Sequence, residues 1–173
     1  MTSRRYRVVR TALGWAGFVV GRRGLQRLWL PAPTRSGIVR TIRRAFPDAE
    51  PDARLLPRFT RQLCEYFAGR RVNFDVALDV GSCGAFTAAV WRACRRIPYG
   101  RTVTYQELAA RAGRPTAARA VGGAMRRNPF LIVVPCHRVV RSDGTLGGYA
   151  GPGGISLKRR LLAMEQRTAG RTG

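Results

Sequence analysis

The sequence predicts two domains: an α/β N-terminal domain, with an antiparallel sheet and helices, and a mainly helical C-terminal domain containing a helix-turn-helix. Three observations carry this. Short β-rich runs separated by glycine turns fill residues 6–30, helical periodicity takes over at Ala85, and two helices joined through a glycine turn occupy residues 105–127. The expected boundaries are 1–82 for the first domain with its linker, 83–168 for the second, and 169–173 for a tail.

The first domain opens as a meander. Tyr6 to Thr11, Trp15 to Val20 and Leu25 to Leu30 are strand-like, with turns at Leu13-Gly14 and Gly21-Arg22-Arg23-Gly24 and a stop at Pro31. A basic start ahead of Thr11 to Val20 mimics a secretory signal. Gly14 and Gly17 interrupt that segment, however, and no small-x-small cleavage site precedes Arg22, so it reads as sheet. Ile38, Ile42 and Ala45 share a helical face within Thr34 to Ala45, and the acidic Asp48 to Asp52 reads as an exposed loop. Leu56, Phe59, Leu63 and Phe67 define a second helix, Leu55 to Ala68, closed by Gly69. Phe74, Val76 and Leu78 alternate as one more strand before the linker at Val80-Gly81-Ser82.

In the second domain Phe86, Val90, Trp91 and Cys94 line one helical face, which the turn Ile97-Pro98-Tyr99-Gly100 ends. Thr104 and Glu107 form a capping box for Tyr105 to Ala112, and after Gly113 a new helix runs from Thr116 to about Arg127. This is the helix-turn-helix pattern. Phe130 to Val134 reads as a buried strand that stops at Pro135.

The chain carries 32 basic and 9 acidic residues, a net charge of +23, which points to a polyanionic partner. Lys158 is the lone lysine, and an arginine excess can also follow coding bias, so charge alone does not fix the partner. No apolar run reaches the roughly 18 residues of a membrane span. Cys64, Cys83, Cys94 and Cys136 form no CxxC, and with a single histidine they make no recognisable zinc site, so no metal is expected. A disulfide framework is unexpected at this length, which places the chain in a reducing, cytoplasmic compartment.

Cys136 and His137, the only histidine, stand together just past the apolar run. A thiol fixed there is either an inert core group or a nucleophile. The nucleophilic form is the thiolate, which a neighbouring base or positive charge promotes. The second helix of the pair, Thr116-Ala117-Ala118-Arg119-Ala120-Val121-Gly122-Gly123-Ala124-Met125, carries almost no side chain able to read base edges in the major groove. Its paired glycines cost about 1 kcal/mol each in a helix interior. They fit either close approach to a narrow DNA groove, with Arg119 as the single long probe, or close packing of two protein helices.

The ordered run of Ile97-Pro98-Tyr99-Gly100, Tyr105, Ala117 through Met125, Asn128-Pro129, Pro135-Cys136-His137-Arg138-Val139-Val140, Asp143-Gly144, Gly147-Gly148-Tyr149 and Lys158 to Glu165 resembles the O6-alkylguanine-DNA alkyltransferases, the methylated-DNA–protein-cysteine methyltransferases. The resemblance is ungapped from Ile97 to Tyr149 and looser in the first 80 residues. It implies a ribonuclease-H-like sheet in the first domain. Cys136 then matches the alkyl acceptor, His137 its activating base and Glu165 the carboxylate that orients the histidine. Tyr105 matches the tyrosine that helps push the nucleotide out, and Asn128 the asparagine that braces the turn before the active-site strand. Arg119 matches the arginine that replaces the everted guanine, with Thr116, Ala117, Ala118, Gly122, Gly123 and Arg126 completing the DNA-facing set. Val139, Tyr149, Ala150, Met125 and Leu131 match the base pocket, with the main-chain carbonyls of Cys136 and Val139 accepting from the exocyclic amine and the Tyr149-Ala150 loop as lid.

The implied activity is direct reversal of damage by irreversible, single-turnover transfer of an alkyl group from O6-alkylguanine in duplex DNA, after base flipping, with no cofactor. The expected state is a monomer. Repair of O4-alkylthymine and cooperative assembly on DNA stay open. The alternatives are a damage-sensing relative that binds without repairing and a helix-turn-helix transcription factor. Against the family pattern, Ala150 replaces a serine of some members, Leu131 a proline, and Gly151-Pro152-Gly153-Gly154 is longer than in close relatives.

Overall fold

A computed structural model describes residues 4–170. The chain divides into two compact units, the first ending at Val80 and the second beginning at Gly81. Of the expected tail, Ala169 ends a helix and residues 171–173 lie outside the described residues.

The first unit is built on β1 (Arg5–Thr11), β2 (Gly14–Gly21) and β3 (Gly24–Ala32), an antiparallel meander as the turn glycines predict. The sheet is nonetheless mixed. Its order is β3-β2-β1-β4, and β4 (Glu50–Pro51) pairs parallel with β1, so the acidic segment expected as a loop contributes a short edge strand. Backbone hydrogen bonds hold that edge, Glu50 N–H to Arg4 O and Asp52 N–H to Tyr6 O at 2.9 Å each, and Arg4 and Arg5 also reach the carboxylates of Asp48 and Asp52 at 2.6 and 2.9 Å.

Alternation gives the sheet two apolar faces. Helix α1 (Arg35–Ala45), capped by Thr34, lays Ile38 and Ile42 against Tyr6 and Val19. Helix α2 (Pro57–Phe67) puts Phe59 edge-on to Phe18 at 5.1 Å, from the opposite face. The alternating Phe74-Val76-Leu78 segment is not a strand. Its ladder is a single bridge between Leu25 and Leu78, because the Gln62 side chain takes Asn73 O and Asp75 N instead and holds the segment against α2.

The second unit contains α3 (Ala85–Arg95), α4 (Tyr105–Arg111), α5 (Ala118–Arg126) and α6 (Gly154–Ala169). The Thr104–Glu107 capping box starts α4 as predicted, while α5 begins two residues later than expected because residues 115–116 form a turn. Trp91 of α3 donates its indole N–H to Ala124 O at 3.0 Å and packs edge-on against Phe130. A two-residue parallel pair, β5 (Val103–Thr104) with β6 (Val139–Val140), joins the start of α4 to the segment after Cys136.

Phe130 to Val134, expected as a strand, is a buried turn. Val134 N–H returns to Phe130 O at 2.8 Å and Ile132 takes a positive φ of 63°. Cys136–Arg138, just past it, is one turn of 3-10 helix. An apolar β-branched run reports burial; the local hydrogen bonds decide its path.

Gly24 opens β3 at φ +127°, and a Cβ there would stand 2.3 Å from Ala77 O. Gly24→Ala is expected to lower stability by about 2–3 kcal/mol through backbone strain and overpacking. Urea unfolding followed by tryptophan fluorescence reads this loss.

Candidate active site

Asn128 follows α5 and organises what comes next. Its Nδ2 donates to Val134 O at 2.8 Å and to Cys136 Sγ at 3.3 Å, while its Oδ1 accepts from Phe130 N–H at 2.9 Å. One amide thus closes the buried turn and touches the thiol it delivers. Cys136 is 4% exposed. Burial pushes its thiol above the ordinary 9.0, an effect that the Asn128 hydrogen bond and the Lys158 charge reduce without reversing. At rest the site therefore holds a thiol, not the thiolate that nearby positive charge would favour.

Behind the thiol lies a buried ionic cluster. His137 Nε2 meets Glu165 Oε1 at 2.7 Å, and Arg138 grips the same carboxylate through Nε at 2.8 Å and a terminal nitrogen at 2.9 Å. Gly100 N–H adds a fourth bond at 3.0 Å, and Arg138 also donates to Ile97 O. Burial raises the Glu165 carboxyl, but the hydrogen bond from His137 and the hydrogen bonds and charge of Arg138 outweigh it and hold the group below the usual carboxylate range. For His137 burial dominates: it lowers the ring below 6.5 despite Glu165, since Arg138 has already neutralised that carboxylate. The neutral ring donates from Nε2 to Glu165, which leaves Nδ1 as its basic nitrogen.

Lys158 is fully buried and donates to three carbonyls: Val139 O at 2.5 Å, Gly148 O at 3.3 Å and Leu146 O. It thereby ties the segment leading to Tyr149 onto β6. Burial lowers its ammonium to about 8.

The thiol opens into a cleft of about 860 Å³. One wall is α5, with Ala118, Arg119, Gly122, Gly123, Met125 and Arg126; the other is Tyr105, Arg141 and Gly147 through Ala150. A Cβ on Gly122 would meet nothing within 4 Å and one on Gly123 only the Arg127 guanidinium, at 3.5 Å, so the glycine pair does not pack against a second protein helix. The Tyr149 hydroxyl is buried without a hydrogen-bond partner among the described residues.

Not all the expected residues line this cleft. Leu131 and Val139 are buried and do not line it, and Thr116 and Ala117 precede α5 outside it. Asn128, His137 and Glu165 form the layer behind the thiol. Arg138, Lys158 and Arg141 carry no role that the sequence alone predicts. A signal existed for Lys158: in α6 the buried residues Lys158, Leu161, Leu162 and Glu165 fall at i, i+3, i+4 and i+7, a core stripe with a charge at each end. No three His, Cys, Asp or Glu side chains among the described residues are grouped to hold a metal ion, and no described helix is long and apolar enough to cross a membrane.

Residues 85–167 match the family model for the DNA-binding domain of 6-O-methylguanine DNA methyltransferase. A methylated-DNA–protein-cysteine methyltransferase of Mycolicibacterium paratuberculosis is 51% identical over 106 residues, covering 61% of this chain and 62% of that protein. The alignment thus spans less than two thirds of that relative. The inducible methylated-DNA–protein-cysteine methyltransferase of Bacillus subtilis is 41% identical over 130 residues, covering 73% of this chain and 70% of its own. The crystal structure of Mycobacterium tuberculosis O6-methylguanine methyltransferase superposes with a TM-score of 0.77 at 38% identity, over 95% of this chain and 94% of that one. A structure of the same enzyme in complex with DNA gives 0.76 at 38% identity, with the same coverage.

Glu165→Gln leaves Arg138 buried without its counter-ion and is expected to cost about 3–5 kcal/mol. Because the folded carboxyl sits below its ordinary 4.5, its contribution is complete above that pH and fades as pH falls through the lower folded value. Denaturation profiles at a series of acidic pH values should show wild-type stability falling, with a flatter dependence in Glu165→Gln.

Proposed function

The chain belongs to the methylated-DNA–protein-cysteine methyltransferase family, and we infer that it repairs O6-alkylguanine in duplex DNA by moving the alkyl group irreversibly to Cys136. The observation that carries this reading is the Cys136 thiol lining a cleft roomy enough for a nucleobase, with an imidazole–carboxylate pair behind it.

The O6 substituent lies inside the duplex, so the damaged nucleotide has to rotate out before sulfur can reach it. Helices α4 and α5 are read as a helix-turn-helix used in the minor groove, α5 offering a nearly bare surface on which Arg119 fills the vacated place in the stack. Tyr105 assists eversion and the Tyr149–Ala150 loop covers the base. The buried Tyr149 hydroxyl offers the incoming base a hydrogen bond. The carbonyls of Cys136 and Val139 accept from its exocyclic amine, and the first unit is read as ribonuclease-H-like.

In the transfer, sulfur forms a bond to the alkyl carbon as the carbon–O6 bond breaks, and the pair from that bond stays with guanine. The thiol proton leaves towards His137, through a water, and the departing guanine anion takes a proton from the Tyr105 hydroxyl; His137 then gives its proton to solvent and Tyr105 regains one, so net charge is unchanged. Burial keeps His137 neutral and so free to accept a proton, and the Glu165 carboxylate on its Nε2 is the group that favours the charged ring. The thioether has no carbonyl for water to attack, and the cysteine stays blocked after one event.

A relative that senses damage without repair would not need Cys136, and a transcription factor would need base-reading side chains on α5. Methylated duplex mixed with excess protein is expected to give one added methyl per molecule, on the Cys136 peptide, by mass spectrometry. Cys136→Ala should bind the same duplex and transfer nothing. A methyl on Cys64, Cys83 or Cys94, or catalytic turnover, contradicts the proposal.

A further inference from the structure

The cleft has a cation that the transfer itself does not employ. Arg141 stands at its mouth, on the wall opposite α5, with an exposed side chain that makes no hydrogen bond or ion pair among the described residues. The nearby acid is already occupied: Asp143 accepts from Thr145 N–H at 2.9 Å and from its hydroxyl at 2.7 Å. The backbone that presents Arg141 is closed at both ends, by Arg141 N–H on Thr145 O at 2.9 Å and Gly144 N–H on Arg141 O at 3.0 Å. Tyr105 is its neighbour across Gly147. A Cβ on Gly147 would stand 3.2 Å from the Tyr105 hydroxyl and 3.5 Å from Arg141 Cγ, so a bare glycine at φ +64° is what lets the two side chains share this place.

We propose that Arg141 and Tyr105, brought together over Gly147, hold a phosphodiester of the everted nucleotide at the mouth of the cleft. The proposal rests on the base-eversion reading above. A nucleotide that swings its base towards Cys136 keeps its two phosphates, which stay at the rim because the sugar is too short to let them follow. No acidic residue lines the cleft. Of its three arginines, Arg119 is committed to the vacated stack and Arg126 lies at the end of α5, on the other wall. That leaves Arg141 as the cation on the Tyr105 side, where a guanidinium fork and a phenol hydroxyl can share one phosphate. The contact exists only once the nucleotide has turned out, so it favours the reactive state over the first encounter with DNA.

The test compares transfer at saturating protein from an O6-methylguanine duplex and from free O6-benzylguanine, which has no phosphate. Arg141→Ala is expected to slow the duplex reaction about tenfold, as loss of a charged hydrogen bond does, with the free-base rate and the affinity for undamaged duplex unchanged. Arg141→Lys should restore part of the rate. A methylphosphonate placed in turn at each phosphate flanking the lesion supplies the matching half of a cycle. At one of the two positions wild type should slow by the same factor, and Arg141→Ala should slow no further. Equal losses on duplex and free base, losses that add at both positions, or an unchanged duplex rate would overturn the proposal. If wild type transfers from the free base but not from duplex, base eversion fails, and the clamp with it.

Discussion

Glu165 is the constraint on which the site depends. A carboxylate with no solvent exposure is costly unless its oxygens are satisfied, and here they receive His137, both arms of Arg138 and the Gly100 N–H. Those bonds join α6, the 3-10 turn that carries Cys136, and the loop between α3 and β5. Removing the charge would therefore do more than disorient a histidine; it would release three segments from one another.

The same cluster sets the protonation of the reactive groups. Glu165 is shared between Arg138 and His137, Lys158 contributes a positive charge shared among three carbonyls, and a resting cation on His137 would have to be buried beside a carboxylate that Arg138 already engages. A neutral imidazole beside a protonated thiol follows. Such a resting site is slow to react with adventitious electrophiles. Asn128 completes the device by using one side chain both to fold the preceding turn and to orient the sulfur.

Much of this was legible in the sequence, for identifiable reasons. Turn glycines and alternation located β1 to β3, and the Thr104–Glu107 box located α4, because these signals are local. Phe130–Val134 and Phe74–Leu78 misled because alternating or β-branched apolar residues report burial, whereas side-chain amides at Asn128 and Gln62 took the backbone hydrogen bonds that a sheet would have used. Cys136, His137 and Arg119 were found through adjacency and family resemblance. The partners Arg138 and Lys158 were not, since their roles arise only when α6 folds back on residues far away in sequence. The paired glycines of α5 were ambiguous until the space in front of them was known.

A single histidine makes the central claim accessible to one experiment. Nitrogen-15 NMR of the imidazole of His137, followed over pH in the intact protein, reports both its tautomer and its pKa. The account requires a neutral ring carrying its proton on Nε2, with a pKa below 6.5. A neutral ring that carries its proton on Nδ1 would mean that the buried carboxylate does not prepare a base for the thiol, and one that titrates at or above 6.5 would mean that burial does not keep the ring neutral.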